Sequence, residues 1–176
     1  MSMITTKEIY LAGGCFWGTE KYLSNINGIL ETEVGYANGN TKNPTYEEVC
    51  HNNTGHAETV KVIYDSNLIS LGYILELYYD VINPTSINRQ GGDVGSQYRT
   101  GIYYVEADDK DIIETSIKEL QKKYDKPIAI EVLGLENYYP AEEYHQKYLD
   151  KNPAGYCHIS HEKFEKAKLA VDDSLK

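Results

Sequence analysis

Gly13-Gly14-Cys15-Phe16-Trp17-Gly18 is the segment whose residue types and order could do the most chemistry. Two glycines let a backbone turn sharply and approach a ligand closely. They end an apolar stretch that reads as a strand, and Cys15 then stands where a helix begins. Unpaired amide N–H groups and the positive end of the helix dipole favour an anion at such a place. The expectation is a thiol shifted towards thiolate, the nucleophilic form. A structural cysteine buried beside two core aromatics leaves the same pattern, because free cysteine is among the most buried residue types. Cys50 and Cys157 complete an odd, widely spaced set of three, which argues against a disulfide framework. Each is then a small buried hydrophobe or a working thiol.

The same residues can be assembled in other ways. Cys50-His51, Cys157-His158 and His161 could make a Cys/His metal site, but their spacings lack the paired knuckles of structural zinc, so no metal is expected. Cys15 paired with His56 would be a cysteine hydrolase. A tyrosine-lined pocket with no covalent step would be a binding module. Seventeen tyrosines against two phenylalanines and one tryptophan mean that any single tyrosine needs its own argument before it is given a role.

Gly14-Cys15-Phe16-Trp17-Gly18 resembles the signature around the nucleophile of the A-type peptide methionine sulfoxide reductases. Further motifs match in order and approximate spacing: Gly35-Tyr36, Pro44-Thr45-Tyr46-Glu47-Glu48-Val49-Cys50, Thr54-Gly55-His56-Ala57-Glu58, Asn88-Arg89-Gln90-Gly91, Gly95-Ser96-Gln97-Tyr98-Arg99 and Tyr144-His145-Gln146. The resemblance covers about Ile9 to Cys157. It implies that Cys15 attacks the sulfur of methionine-S-sulfoxide, free or in proteins, and becomes a sulfenic acid. It gives Glu58 the role of general acid, since a carboxyl in a largely apolar cleft holds its proton near neutral pH. Tyr46 and Tyr98 would donate hydroxyl hydrogen bonds to the same oxygen. Asp93 would help hold the site together, and Phe16 and Trp17 would wall the methyl pocket.

Cys157, in Asn152-Pro153-Ala154-Gly155-Tyr156-Cys157, resembles the family's C-terminal recycling cysteine. It would condense with the sulfenic acid, and thioredoxin or another dithiol would reduce the resulting disulfide. No bound cofactor is implied. Taken alone, each residue has a plainer reading: Glu58 as a solvated carboxylate, Tyr46, Phe16 and Trp17 as core, Asp93 as a turn residue. An external thiol could resolve the sulfenic acid instead of Cys157. Cys50 reads as structural, with a resolving role as its alternative. One stretch departs from the family: Ile82-Asn83-Pro84-Thr85 stands where His-Asp-Pro-Thr is common. A local structural role is expected there, with Pro84 ending a helix and Asn83 held extended before it.

These residues need a scaffold. A chain of 176 residues, 41% hydrophobic and 25% charged, suits one globular domain, expected over 1–176 with its core at about 7–157 and a coil-rich segment at 158–176. A formal charge of -10 disfavours nucleic acid and anionic membrane as partners. The first residues lead into no apolar stretch of signal-peptide length, and no run could span a bilayer, so a cytoplasmic monomer is expected. Strands are expected at 7–12, 31–36, 59–64, 101–106 and 128–133. Helices are expected from about Cys15 to Ile26, from an Asn43 cap, and over 71–82, 113–124, 141–149 and 160–170. A polar, Gly-rich loop at 83–99 is long enough to be functional. The order strand–helix–strand–strand–helix–strand predicts an α+β fold of split βαβ (ferredoxin-like) type, a mixed or antiparallel sheet with helices packed on it.

Overall fold

The computed structural model describes residues 5–175, so Met1–Ile4 and Lys176, which the expected bounds include, lie outside the described residues. The fold is α+β. Its first half runs β1 (Thr6–Ala12), α1 (Phe16–Ser24), β2 (Ile29–Ala37), α2 (Tyr46–His51), β3 (Ala57–Asp65) and α3 (Leu71–Tyr79). A hairpin of β4 (Arg89–Gln90) and β5 (Asp93–Val94) precedes β6 (Gly101–Tyr104), α4 (Ala107–Gln121), β7 (Glu131–Gly134), β8 (Tyr138–Pro140), α5 (Tyr148–Lys151) and α6 (His161–Leu169). Six strands form one sheet in the order β7-β6-β1-β3-β2-β8. Its centre, β6-β1-β3-β2, is antiparallel throughout and is the expected split βαβ arrangement. β7 joins parallel to β6 through α4, and β8 caps the other edge against β2.

Strand residues alternate between two cores, as a side-chain period of two requires. Ile9, Leu11, Val34, Val60, Val62 and Ile102 face the cluster shared with the helices. Tyr10, Ala12, Ala37, Ala57 and Tyr103 face a smaller cluster covered by Leu135 and Tyr138. The register then decides where chemistry can occur. Ala12 pairs with both Thr59 and Gly101, so the end of β1, the start of β3 and the start of β6 lie side by side. Cys15, Glu58 and Tyr98 therefore issue from one edge of the sheet.

Several boundaries differ from expectation for identifiable reasons. Asn43 does not cap α2; it is left-handed (φ 45°), and Thr45 caps instead, in a reciprocal box with Glu48. The stretch 141–149 is not one helix. It is a 3-10 turn at Glu143–His145 followed by α5, broken where Lys147 turns left-handed and its N–H donates to Glu20 Oε1 at 2.8 Å. α4 begins at Ala107, before the expected 113, with Asp108 and Asp109 in the first turn favoured by the dipole. β7 begins at Glu131 and not near 128, because the Ala129 N–H is drawn to the Pro84 carbonyl at 2.7 Å.

Candidate active site

Cys15 is the N-cap of α1. The turn before it needs Gly14, which has φ +78° and packs so closely on Gln90 that a Cβ would lie 2.9 Å from the Gln90 Cβ. Gln90 is in turn fixed by Asn83, accepting the Asn83 N–H at 2.8 Å and donating to the Asn83 carbonyl at 3.0 Å. The departure segment thus braces the Cys15 turn through backbone groups, but Pro84 does not end the helix, because α3 already stops at Tyr79 with Asp80 as its C-cap. The Thr19 hydroxyl donates to the Gly13 carbonyl at 3.0 Å and locks the same turn from the helix side.

Cys15 retains 8% of its surface, reachable but largely desolvated. Here the expected thiolate is corrected. Burial pushes the Cys15 thiol well above the ordinary thiol range, and the charge of Glu58 pushes it further; the Trp17 N–H opposes both and loses. Helix position alone had suggested the reverse. The carboxyl responsible, Glu58, is 1% exposed and opens β3 directly beside the helix start. Its Oε1 accepts the Phe16 N–H at 3.2 Å, while Oε2 has no hydrogen-bond partner among the described residues. Burial raises its pKa from 4.5 to about 8, with the Phe16 N–H pulling it down and the Asp93 charge adding to the rise. Glu58 is a buried acid at neutral pH.

Around this pair the structure gathers the remaining predicted residues. Tyr98 lies in the turn before β6, and its carbonyl accepts the Gly14 N–H at 3.3 Å. Tyr46 opens α2 and stacks on Phe16 with ring centroids 6.5 Å apart. Both phenols are raised by burial first and by the Glu58 charge second, which puts their hydroxyls in the field of that carboxyl. Trp17 stands at the rim, stacked at 3.7 Å on Tyr148. Asp93, on the hairpin, accepts the Tyr156 hydroxyl at 3.1 Å and so ties the C-terminal segment over the cleft. Cys157 follows, its Sγ 2.8 Å from where a Cβ on Gly18 would stand, one turn of α1 beyond Cys15. All three cysteines are free thiols.

Some residues of the site had no assigned role in the sequence. His145 is fully buried; its Nδ1 accepts the Trp17 indole N–H at 2.9 Å, and its ring lies 4.5 Å from Tyr46 and 5.3 Å from Phe16. Glu142 holds the Tyr46 N–H at 3.0 Å and the Tyr36 hydroxyl at 2.9 Å. Tyr144-His145-Gln146 was the available signal. Cys50, one turn after Tyr46 on α2, hydrogen-bonds Tyr46 and Gln97 and feels the Glu58 charge, so it borders the site. The rival assemblies are not formed. His56 Nε2 is 2.8 Å from the Thr41 carbonyl and its ring meets Tyr139 edge-on, away from Cys15. Among the described residues no group of three or more His, Cys, Asp or Glu could hold a metal ion.

Comparison with known proteins decides the family. The family model described as peptide methionine sulfoxide reductase matches residues 7–174. The chain belongs to that family. A curated relative, peptide methionine sulfoxide reductase MsrA of Lachnoclostridium phytofermentans, is 66% identical over 164 residues, covering 93% of this chain and 99% of the relative. MsrA of Clostridium perfringens is 64% identical over 153 residues, covering 87% and 98%. Among solved structures, Mxr1 from Saccharomyces cerevisiae in its reduced form superposes with a TM-score of 0.83 at 39% identity, covering 88% of this chain and 91% of that one. Mxr1 has also been solved in complex with Trx2, and matches here with a TM-score of 0.58 at 28% identity over 81% of this chain and 84% of that one. This peptide methionine sulfoxide reductase is an oxidoreductase of the MsrA type. Among its described residues no helix is long and apolar enough to cross a membrane.

Proposed function

We propose that the chain reduces methionine-S-sulfoxide, free or in proteins, by attack of Cys15 on the sulfoxide sulfur, with Glu58 moving the proton. The observation that carries this reading is the Glu58 carboxyl. One oxygen is pinned by the first N–H of α1, and the other is buried and unpartnered beside the nucleophile. A protonated Glu58 donates to the sulfoxide oxygen and makes the sulfur electrophilic. As the Cys15 sulfur attacks, its own proton passes to the carboxylate, replacing the one delivered. Oxygen ends on Cys15 as a sulfenic acid, and methionine leaves. The raised resting thiol suits this exchange, because ionisation is needed only when the carboxyl has given up its proton.

Tyr46 and Tyr98 steady the oxygen by hydrogen bonds where negative charge develops. Phe16, Trp17, Tyr148 and His145 make the apolar wall for the methyl group, and Asp93 anchors the Tyr156–Cys157 segment. Cys157 resolves the sulfenic acid: the S–S bond forms and water leaves. A dithiol, thioredoxin by analogy with the Mxr1–Trx2 pair, restores both thiols by exchange. No bound cofactor takes part. The enzyme works in a reducing compartment, the cytoplasm, a reading supported by an odd, widely spaced set of three cysteines.

Incubation with racemic methionine sulfoxide, free and in a peptide, should consume the S epimer and leave the R epimer. Loss of the R form alone would refute the stereochemistry. With Cys157→Ser, one methionine per enzyme should still appear, while turnover supported by thioredoxin falls about 10²-fold or more, since the disulfide that thioredoxin reduces no longer forms. Normal thioredoxin turnover in that variant would transfer the resolving role to Cys50 or to an external thiol.

A further inference from the structure

His158 follows the resolving cysteine and has no part in the scheme above. Both its ring nitrogens are shielded from solvent, and neither has a hydrogen-bond partner among the described residues. Two buried, unsatisfied nitrogens are costly, and an imidazole kept there needs a reason. The ring's position supplies one. It lies against two glycines, one in the turn before α1 and one within it: its Cε1 is 3.4 Å from where a Cβ on Gly14 would stand, and its Nδ1 is 3.5 Å from the corresponding point on Gly18. Cys15 sits between those glycines at the head of the helix. The same Gly18 point lies 2.8 Å from Cys157 Sγ. A Cβ at 14 or 18 would meet the ring at ordinary contact distance, so the imidazole packs directly on the backbone either side of Cys15 and shares the Gly18 notch with Cys157 Sγ.

We propose that His158 is the base of the resolving step, taking the proton of the Cys157 thiol and returning it to the hydroxyl that leaves Cys15. The inference rests on Cys157 being the resolving thiol. The Cys157 S–H bond breaks and its proton goes to His158; the freed sulfur attacks Cys15 Sγ, forming S–S and breaking S–O. The departing hydroxide takes the proton from His158 as water. The Cys15 sulfur is reduced from sulfenic acid to disulfide as the Cys157 sulfur is oxidised, so no outside reagent is consumed. A base is needed because burial pushes the Cys157 thiol up, despite the Ile159 N–H and the charge of Lys21. His158 is itself shifted down by burial, against the charge of Asp93, which keeps the ring neutral and basic at neutral pH. The charged group that acts on the ring is Asp93 on β5, and the titratable neighbour that shares its contact with Gly18 is Cys157 on its own segment.

The test follows formation of the Cys15–Cys157 disulfide by rapid mixing of reduced enzyme with one equivalent of methionine sulfoxide, across pH, for wild type, His158→Ala and His158→Gln. Glutamine keeps hydrogen-bonding capacity without basicity. Both variants should form disulfide about 10²-fold more slowly at neutral pH. The wild-type rate should fall as pH drops below the usual imidazole range; in both variants that limb should vanish and the rate climb into the alkaline thiol range. Wild-type rates in either variant would overturn the proposal, as would slower rates with an unchanged pH profile, which mean a packing role only. A wild-type enzyme that releases methionine without forming this disulfide would instead sink the resolving assignment of Cys157 on which the proposal rests.

Discussion

Cys15→Ser is expected to lower methionine formation in a single turnover by about 10³-fold or more, because a serine hydroxyl ionises far less readily than a thiol and is the weaker nucleophile. The position makes the loss severe. Burial and the Glu58 charge already raise the thiol, and the Trp17 N–H is the group that opposes them. An alkoxide there would face the same penalties from a higher starting point. The fold should be unaffected, since serine has nearly the shape of cysteine and is itself a favoured residue at the N-cap position that Cys15 occupies. The measurement is methionine released per enzyme without reductant, together with mass analysis of the Cys15 peptide for one added oxygen in the wild type. Retained methionine formation in the serine variant would remove Cys15 as the nucleophile.

How much of this was legible in the chain depended on what each signal encodes. Strand alternation carried β1, β2 and β3, and with them the sheet edge from which Cys15, Glu58 and Tyr98 emerge. Short elements carried too few residues for any period: β8 has three residues and each strand of the β4–β5 hairpin has two. Asparagine before proline suggested a helix cap at Asn43, but the capping box two residues later at Thr45 won because its two side chains satisfy two backbone N–H donors reciprocally. The ionisation of Cys15 was misjudged for a deeper reason. A sequence shows that a helix starts, yet burial and the approach of a carboxyl from 43 residues away are tertiary facts. Resemblance located Glu58, but its pinned and unpinned oxygens belong to the fold. Resemblance pointed to Trp17, but the rings packed on it, His145 and Tyr148, were hidden, because in a chain with seventeen tyrosines no one of them stands out.

Glu58→Gln tests the proton chemistry and should separate activity from stability with opposite signs. The amide keeps the shape and can still accept the Phe16 N–H that now reaches Oε1 at 3.2 Å, but it has no proton to give. Removing a positioned general acid costs about 10²–10⁴-fold, and that loss should fall on the single-turnover rate. Wild-type enzyme works as an acid only while the carboxyl is protonated, so its rate should decline as pH rises through about 8, and the variant should lack that descending limb. Stability runs the other way. The unfolded carboxyl ionises near 4.5 and the folded one near 8, so between these values the folded state holds an extra proton and wild-type stability falls as pH rises. Above about pH 8 the folded protein carries a buried charge that the glutamine variant does not. Thermal melting at alkaline pH should therefore place the slow variant above the fast wild type. An unchanged single-turnover rate would take Glu58 out of the mechanism, and a variant that melts lower at high pH would mean that the carboxyl is held charged by partners and was never the proton donor.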